Sequence, residues 1–315
     1  MTDQPIVNQV QLGKTGLWIP PMGTGCWQWG DRYFWGFGRG YSDNDVKDSF
    51  DISLAAGINF FDTAEVYGNG TSERLLGSFA AQTDQPLVIA TKFMPYPWRL
   101  LSSNLLHALE RSLKRLQMPK LALYQINIAM PPMPVQYWVK ELAGVVKREL
   151  ASAVGVSNYN ASQTRRAYSV LEAEGLPLAS NQVEYSLLNR SIERNGVLDA
   201  CQELGVTLIA YSPLAKGMLT GKYTPENIPS GMRARQYNPA YLRRLQPLIR
   251  LMTDIGHAHE GKSPAQVSLN WLMMKGVVPI PGAKNARQAK ENVGAQGWRL
   301  TDSEVQALDA ASFEF

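Results

Sequence analysis

Histidine and cysteine are scarce in this chain. Its 315 residues include three histidines, His107, His257 and His259, and two cysteines, Cys26 and Cys201. These residues do not stand in any ligand-like spacing, so no metal site is expected. Two cysteines without a CxxC pair exclude a disulfide framework and fit a reducing compartment. Charge is sparse as well. Only 18% of residues are charged, the net charge is +4 and there is no basic block, which argues against nucleic acid or a membrane surface as a partner. No apolar run approaches the ~18 residues that a membrane span requires. The opening MTDQPIVNQV lacks the basic and apolar regions of a signal or transit peptide. The expectation is a cytoplasmic, monomeric protein that acts on a small molecule.

What is present is a regular alternation. Short apolar runs at 19–27, 58–64, 87–92, 121–127, 151–158, 178–186, 206–212 and 277–282 suit strands buried on both faces. Amphipathic stretches lie between them, at 45–57, 72–82, 103–116, 135–150, 162–175, 196–205, 264–276 and 286–297. Ser263, Pro264 and Gln266 form an N-cap, a first-turn proline and a capping-box partner, and Thr301 with Glu304 caps a closing helix. Eight strand–helix alternations in one uninterrupted chain predict a single-domain (β/α)8 TIM barrel over 1–315. Two additions are expected: an N-terminal β-hairpin turning at 14–16, and extra helices after strand seven (240–260) and at the C-terminus. A doubly wound open sheet would want a GxGxxG turn after the first strand, and GTGCWQWG misplaces its third glycine.

In such barrels chemistry gathers at the C-terminal ends of the strands. Polar residues collect there: Asp62 with Tyr67 just beyond, Lys92, Asn127, Ser157 with Asn158, Asn181 to Glu184, and Tyr211 with Ser212. A neutral tyrosine can protonate a carbonyl oxygen as it becomes an alkoxide, a nearby ammonium lowers the tyrosine pKa from ~10, and a carboxylate holds the ammonium. Spacing alone leaves a second reading open, in which Asp62 and Lys92 are a structural ion pair.

Longer motifs go further. INFFDTAEVYGNGTSERLLG, VIATK, LYQI, VGVSNY, NQVEYSLL, IAYSPLAKGMLTGKY and VVPIPGAKNARQAKENVGA occur in order across most of the chain. Together they resemble the aldo-keto reductase superfamily. ATKFMPYPWRL and GAQGWRLT look like its plant and cyanobacterial pyridoxal-reductase-like branch. The resemblance implies NADPH-dependent reduction of an aldehyde or ketone, a pyridoxal-like aromatic one among the candidates, with Asp62, Tyr67 and Lys92 as three of four catalytic residues. The family's fourth position, normally histidine, is Asn127 here, and the three histidines all fall in helical stretches. Asparagine cannot titrate, but its amide still donates hydrogen bonds, so orientation of a carbonyl survives and proton traffic does not. Reductase-like potassium-channel β subunits also carry asparagine there. They bind cofactor tightly and turn over slowly, so a NADP(H)-binding sensor or accessory subunit is the alternative.

The same resemblance implies the cofactor contacts. Ser157, Asn158 and Gln182 match the clamp on the nicotinamide carboxamide, and Tyr211 matches the aromatic that stacks on the ring. Gly23, Thr24, Ser212, Leu214, Lys222 and Gly282 fall in the segments that line the dinucleotide. Lys284, Asn285, Gln288, Glu291 and Asn292 match the adenosine-binding segment. Lys284 with Arg287 and Arg233 favours a 2′-phosphate, hence NADPH. Asn285 and Gln288 also read as an N-cap and its partner, and the two roles are compatible. The aromatic-dense loop CWQWGDRYFWGFGRGYSDND, with Tyr96, Trp98 and Met130, predicts an apolar, planar-walled substrate pocket. Trp27 and Trp98 are its expected contacts.

Overall fold

The computed structural model describes residues 9–229, 237–313 and 315. The chain opens with a hairpin, β1 (Val10–Gln11) antiparallel to β2 (Trp18–Ile19). Eight parallel strands follow: β3 (Thr24–Gly25), β4 (Phe60–Asp62), β5 (Val88–Phe93), β6 (Leu121–Ile126), β7 (Ala151–Ser157), β8 (Ser180–Glu184), β9 (Thr207–Tyr211) and β10 (Val278–Pro279). They pair in sequence order from β3 to β10. The ends of the sheet meet. Gly25 bridges Gly282, and the amides of Gly23 and Gly25 donate to the carbonyls of Pro279 and Pro281 at 3.0 Å. The fold is the expected (β/α)8 barrel.

Most strands are shorter than their apolar runs, and at two of them proline is the reason. The run at 19–27 is divided between β2 and β3, with Pro20 and Pro21 between them. β10 is brief because Pro279 and Pro281 have no N–H to give the ladder.

Period-two alternation sorts the side chains. Phe60, Val88, Ala90, Leu123, Ala153, Ile209, Val278 and Ile280 form a compact cluster inside the barrel. Phe61, Ile89, Tyr124, Val154 and Leu208, each next to one of these or one strand position away, belong to the larger cluster beneath the helices. Leu12 and Ile19 of the hairpin are fully buried in the inner cluster. Thr207, the first residue of β9, accepts from the Gly13 amide at 2.8 Å and donates to the Gln11 carbonyl at 3.0 Å. The hairpin therefore closes the N-terminal end of the barrel and leaves the other end as the open mouth.

Helices α1 (Asp43–Ala55), α2 (Thr71–Ala80), α3 (Ser103–Leu116), α4 (Val135–Lys147), α5 (Ala161–Ala173), α6 (Ser191–Arg194) and α7 (Val197–Leu204) surround the strands. The inserted α8 (Pro239–Ala258) precedes α9 (Pro264–Met274), α10 (Ala286–Val293) and α11 (Asp302–Ser312). The capping boxes expected at Ser263 and Thr301 both form. Asn285 caps α10, but the Gln288 side chain reaches the amide of Lys284, one residue before the cap. α2 and α3 approach so closely that a Cβ on Gly77 would lie 2.6 Å from the Arg115 carbonyl oxygen and 2.7 Å from the Leu116 backbone. Gly77→Ala should therefore destabilise the protein by about 1–3 kcal/mol through overpacking. A urea melt that matches the parent would disprove this contact.

Candidate active site

The inward-facing column of each strand turns polar near the mouth. Two positions beyond Phe60 stands Asp62, two beyond Ala90 stands Lys92, two beyond Leu123 stands Gln125, and Gln182 has the same inward parity on β8. All four are buried. Lys92 is 1% exposed and Asp62 2%, and Nζ lies 2.5 Å from Oδ1. Nζ also donates to the Thr63 carbonyl at 2.9 Å and reaches the Tyr67 hydroxyl at 3.5 Å. The other carboxylate oxygen, Oδ2, accepts from Gln182 Nε2 at 2.8 Å and Gln125 Nε2 at 3.3 Å. Burial opposes the Lys92 charge, but the Asp62 carboxylate together with Tyr67 outweighs it and carries the ammonium above the ordinary lysine value.

Tyr67 opens the 3-10 turn Tyr67–Gly70, in which Gly68, Asn69 and Gly70 all take left-handed backbone. A Cβ on Gly68 would lie 2.5 Å from the Gly30 carbonyl oxygen, so the turn rests on the loop that follows β3. The tyrosine ring faces Trp27 at 6.3 Å. Burial raises the Tyr67 pKa, and Lys92 offsets this only in part, leaving the phenol above its ordinary value. The expectation of a lowered tyrosine pKa is thus corrected: the ammonium acts in the expected direction, but desolvation is larger. Cys26 lies at the base of the same wall, and burial pushes its thiol well up.

A cavity of about 310 Å3 runs along the mouth. Asp62, Tyr67, Trp27 and Tyr211 line it, with Ser212, Leu214, Lys222 and Gly282 and with Lys284, Gln288, Glu291 and Asn292. Lys216 and Arg287 join them. Four cations on one cavity, with glycines at 25, 217 and 282 in its lining, suit a polyanionic ligand such as a dinucleotide. The loop after β9 supports this: Ser212, Ala215 and Lys216 hold left-handed backbone without being glycine, a strain that clusters at ligand-binding segments.

Other expected contacts lie elsewhere. Gly23 and Thr24 do not line the cavity; Thr24 turns outward to Ser53 of α1. Gln182 gives its amide to Asp62, and Ser157 donates to the Gln182 carbonyl at 2.8 Å. Asn158 is left-handed at φ 58. It donates to the Asn127 carbonyl at 3.1 Å and accepts from the Tyr211 hydroxyl at 2.9 Å. Asn181 faces the other way, toward Tyr159 and Thr164. Asn127 itself is half-buried at the end of β6, and its side-chain amide has no hydrogen-bond partner among the described residues. Met130 follows on the loop, half-buried and outside the cavity lining. Trp98 is 74% exposed and stacks on Tyr96 at 4.7 Å, away from the lining. Of the two expected aromatic contacts only Trp27 lines the cavity. Arg233 lies outside the described residues. Two participants were not marked in the sequence. Gln125 shares the inward parity of Asp62 and Lys92, a signal that was there to find; Gln28, which also lines the cavity, carries no such mark.

The aldo/keto reductase family profile matches residues 21–312. The chain is 40% identical to a chloroplastic pyridoxal reductase of Arabidopsis thaliana, over 97% of this chain and 86% of that protein. It is 31% identical to the aldo-keto reductase yakc [NADP(+)] of Schizosaccharomyces pombe, over 93% and 88% of the two chains. Among solved structures, a thermostable aldo-keto reductase, Tm1743, crystallised with the inhibitor epalrestat, superposes with a TM-score of 0.78 at 30% identity, covering 96% of this chain and 99% of that one. The glycerol dehydrogenase AKR11B4 of Gluconobacter oxydans shares the fold with a TM-score of 0.85 at 24% identity, covering 97% and 95%.

The Asp62–Lys92 pair can be tested by stability alone. Lys92→Met leaves the Asp62 charge buried without its counter-ion and should cost about 3–5 kcal/mol in urea unfolding at neutral pH, with Asp62→Asn/Lys92→Met recovering much of it. A double variant no more stable than the single one would refute the coupling.

Proposed function

The chain belongs to the aldo/keto reductase family, and from that premise we propose that it reduces an aldehyde or ketone with NADPH, Tyr67 acting as the general acid. The observation that carries this reading is the contact chain Asp62–Lys92–Tyr67, whose phenol end lines a groove flanked by cations. A nicotinamide cofactor held in that groove by residues such as Lys222, Lys284 and Gln288 would supply the hydride for the carbonyl carbon. The protein's part is the proton. The Tyr67 hydroxyl donates to the carbonyl oxygen as charge develops on it, and Lys92, 3.5 Å away, stabilises the phenolate left behind. Asp62 favours the charged form of Lys92 against the burial that opposes it. Asn127 orients the carbonyl through its amide.

The cations on the cavity, Lys284 foremost, favour NADPH. Trp27 and its stacked neighbour Phe34, 5.2 Å apart, form a planar wall beside Tyr67, which suits an aromatic aldehyde of the pyridoxal kind. Both thiols are buried and unpaired, which supports a reducing compartment such as the cytoplasm. A second reading rests on Asn127: with a non-titrating amide at the end of β6, the protein binds NADP(H) as a sensor or accessory subunit with slow turnover.

Mixing the NADPH-loaded protein with aromatic aldehydes in a stopped-flow instrument separates the two. Oxidation of bound NADPH that is abolished by Tyr67→Phe supports the reductase; tight binding with no oxidation by any aldehyde supports the sensor. Because the phenol is raised, the proton-donating form persists through neutral pH. Reduction should hold its rate to beyond the ordinary tyrosine value of ~10, and the reverse oxidation should climb with pH. Asn127→His places a group with pKa near 6.5 at the carbonyl, and should introduce pH dependence of turnover between about pH 5 and 8. An unchanged profile would remove Asn127 from the mechanism.

A further inference from the structure

Tyr67 and Lys92 meet across two different chain segments. Lys92 lies within β5, while Tyr67 lies beyond the end of β4. Their contact is 3.5 Å, at the limit of a hydrogen bond, so a small displacement of either segment breaks it. Past Asp62 the ladder to β5 carries only the bonds from the Thr63 amide to Ala90 and from the Glu65 amide to the Lys92 carbonyl, the latter at 3.3 Å. The Tyr67 amide then turns back to the Ala64 carbonyl. Something else must fix this stretch against β5.

The Glu65 side chain does so. It is 7% exposed, and one carboxylate oxygen accepts from the Met94 amide at 2.8 Å, just past the end of β5. Arg99 closes the ring. Its Nη1 donates to that same oxygen and, at 2.9 Å, to the Met94 carbonyl, and Nη2 donates to the second carboxylate oxygen at 3.2 Å. The guanidinium also lies over the Phe93 ring at 5.0 Å, next to Lys92. A buried carboxylate held by a planar fork is a rigid joint. Here it joins two residues before Tyr67 to two residues after Lys92. We propose that Glu65 and Arg99 are positioning residues for the proton transfer: together they hold the Tyr67 segment against the end of β5 and so set the distance from the phenol to the Lys92 ammonium. This rests on the reading of Tyr67 as the general acid.

The test is turnover of an aromatic aldehyde with NADPH, expressed per NADPH-binding site so that unfolded protein does not count. Arg99→Met keeps an apolar contact with Phe93 and removes the fork; Glu65→Gln keeps the shape and removes the charge. Each should lower kcat about tenfold while NADPH affinity stays parental, and the double variant should be no slower than the slower single one, because the two act as a unit. Arg99→Lys should recover part of the loss, and it answers the same question if Arg99→Met does not fold. A second readout is the reverse oxidation. Lys92, Asp62 and Cys26 are the titratable groups around the phenol, and only Lys92 favours its ionised form. With the ammonium further away, the rise of oxidation with pH should move to higher pH. Parental kcat and pH profile in the variants, with only the melting temperature lowered, overturn the proposal. A loss confined to KM overturns it as well, since the pair would then shape the substrate pocket. Failure of the unmutated protein to oxidise NADPH with any aldehyde would instead sink the general-acid reading, and is seen before any variant is made.

Discussion

A lysine and an aspartate buried together at the top of the barrel interior set the terms for everything at the mouth. Neither charge would be tolerated there alone: desolvation would push the ammonium toward its neutral form and leave the carboxylate uncompensated. Paired, and with Asp62 also taking the amides of Gln125 and Gln182, they form a fixed positive end pointed at the Tyr67 hydroxyl. Four strands, β4, β5, β6 and β8, each contribute one member. The network therefore depends on the closed barrel, and it gives the barrel's open end a defined electrostatic shape.

The loop after β3 is the second organising feature. It delivers Trp27 to Tyr67, Gln28 to Gly282 and Trp35 to Lys284. The Lys284 ammonium also sits over the rings of Trp35 and Tyr41 at 4.9 and 4.7 Å. One aromatic-rich segment thus reaches from Tyr67 to Lys284. The rim on the other side is held separately: Arg99 pairs with the buried Glu65, which also accepts from the Met94 amide. This fixes the loop that follows Lys92, while Trp98 on it stays exposed.

Asn127 stands where the family resemblance leads one to expect histidine, and its surroundings suit the positioning part proposed for it. Its backbone is tied at both ends, donating to the Phe93 carbonyl and accepting from Asn158, and its side-chain amide is left over. An amide can hold a carbonyl oxygen but cannot carry a proton, so the proposed mechanism assigns proton delivery to Tyr67 alone.

Much of this was legible in the sequence, because the information is local. The alternation of apolar runs and amphipathic stretches gives the barrel. Ser263 and Thr301 announce their helices through side chains that satisfy amides three residues on. The period of two in strands places Asp62 and Lys92 on the inward side, and the polar strand ends mark the mouth. What the tertiary structure alone decided is non-local. Parity says which side a residue faces but not which residue it meets, so Gln182 turned out to hold Asp62, and Thr24 to face α1. The direction of the Tyr67 shift depends on how much water the folded mouth excludes, which outweighs the nearby ammonium. The density of aromatics does not say which rings face the groove: Trp27 does, and Trp98 lies in solvent. Glu65 and Arg99 become partners only when the barrel sets the loops after β4 and β5 side by side.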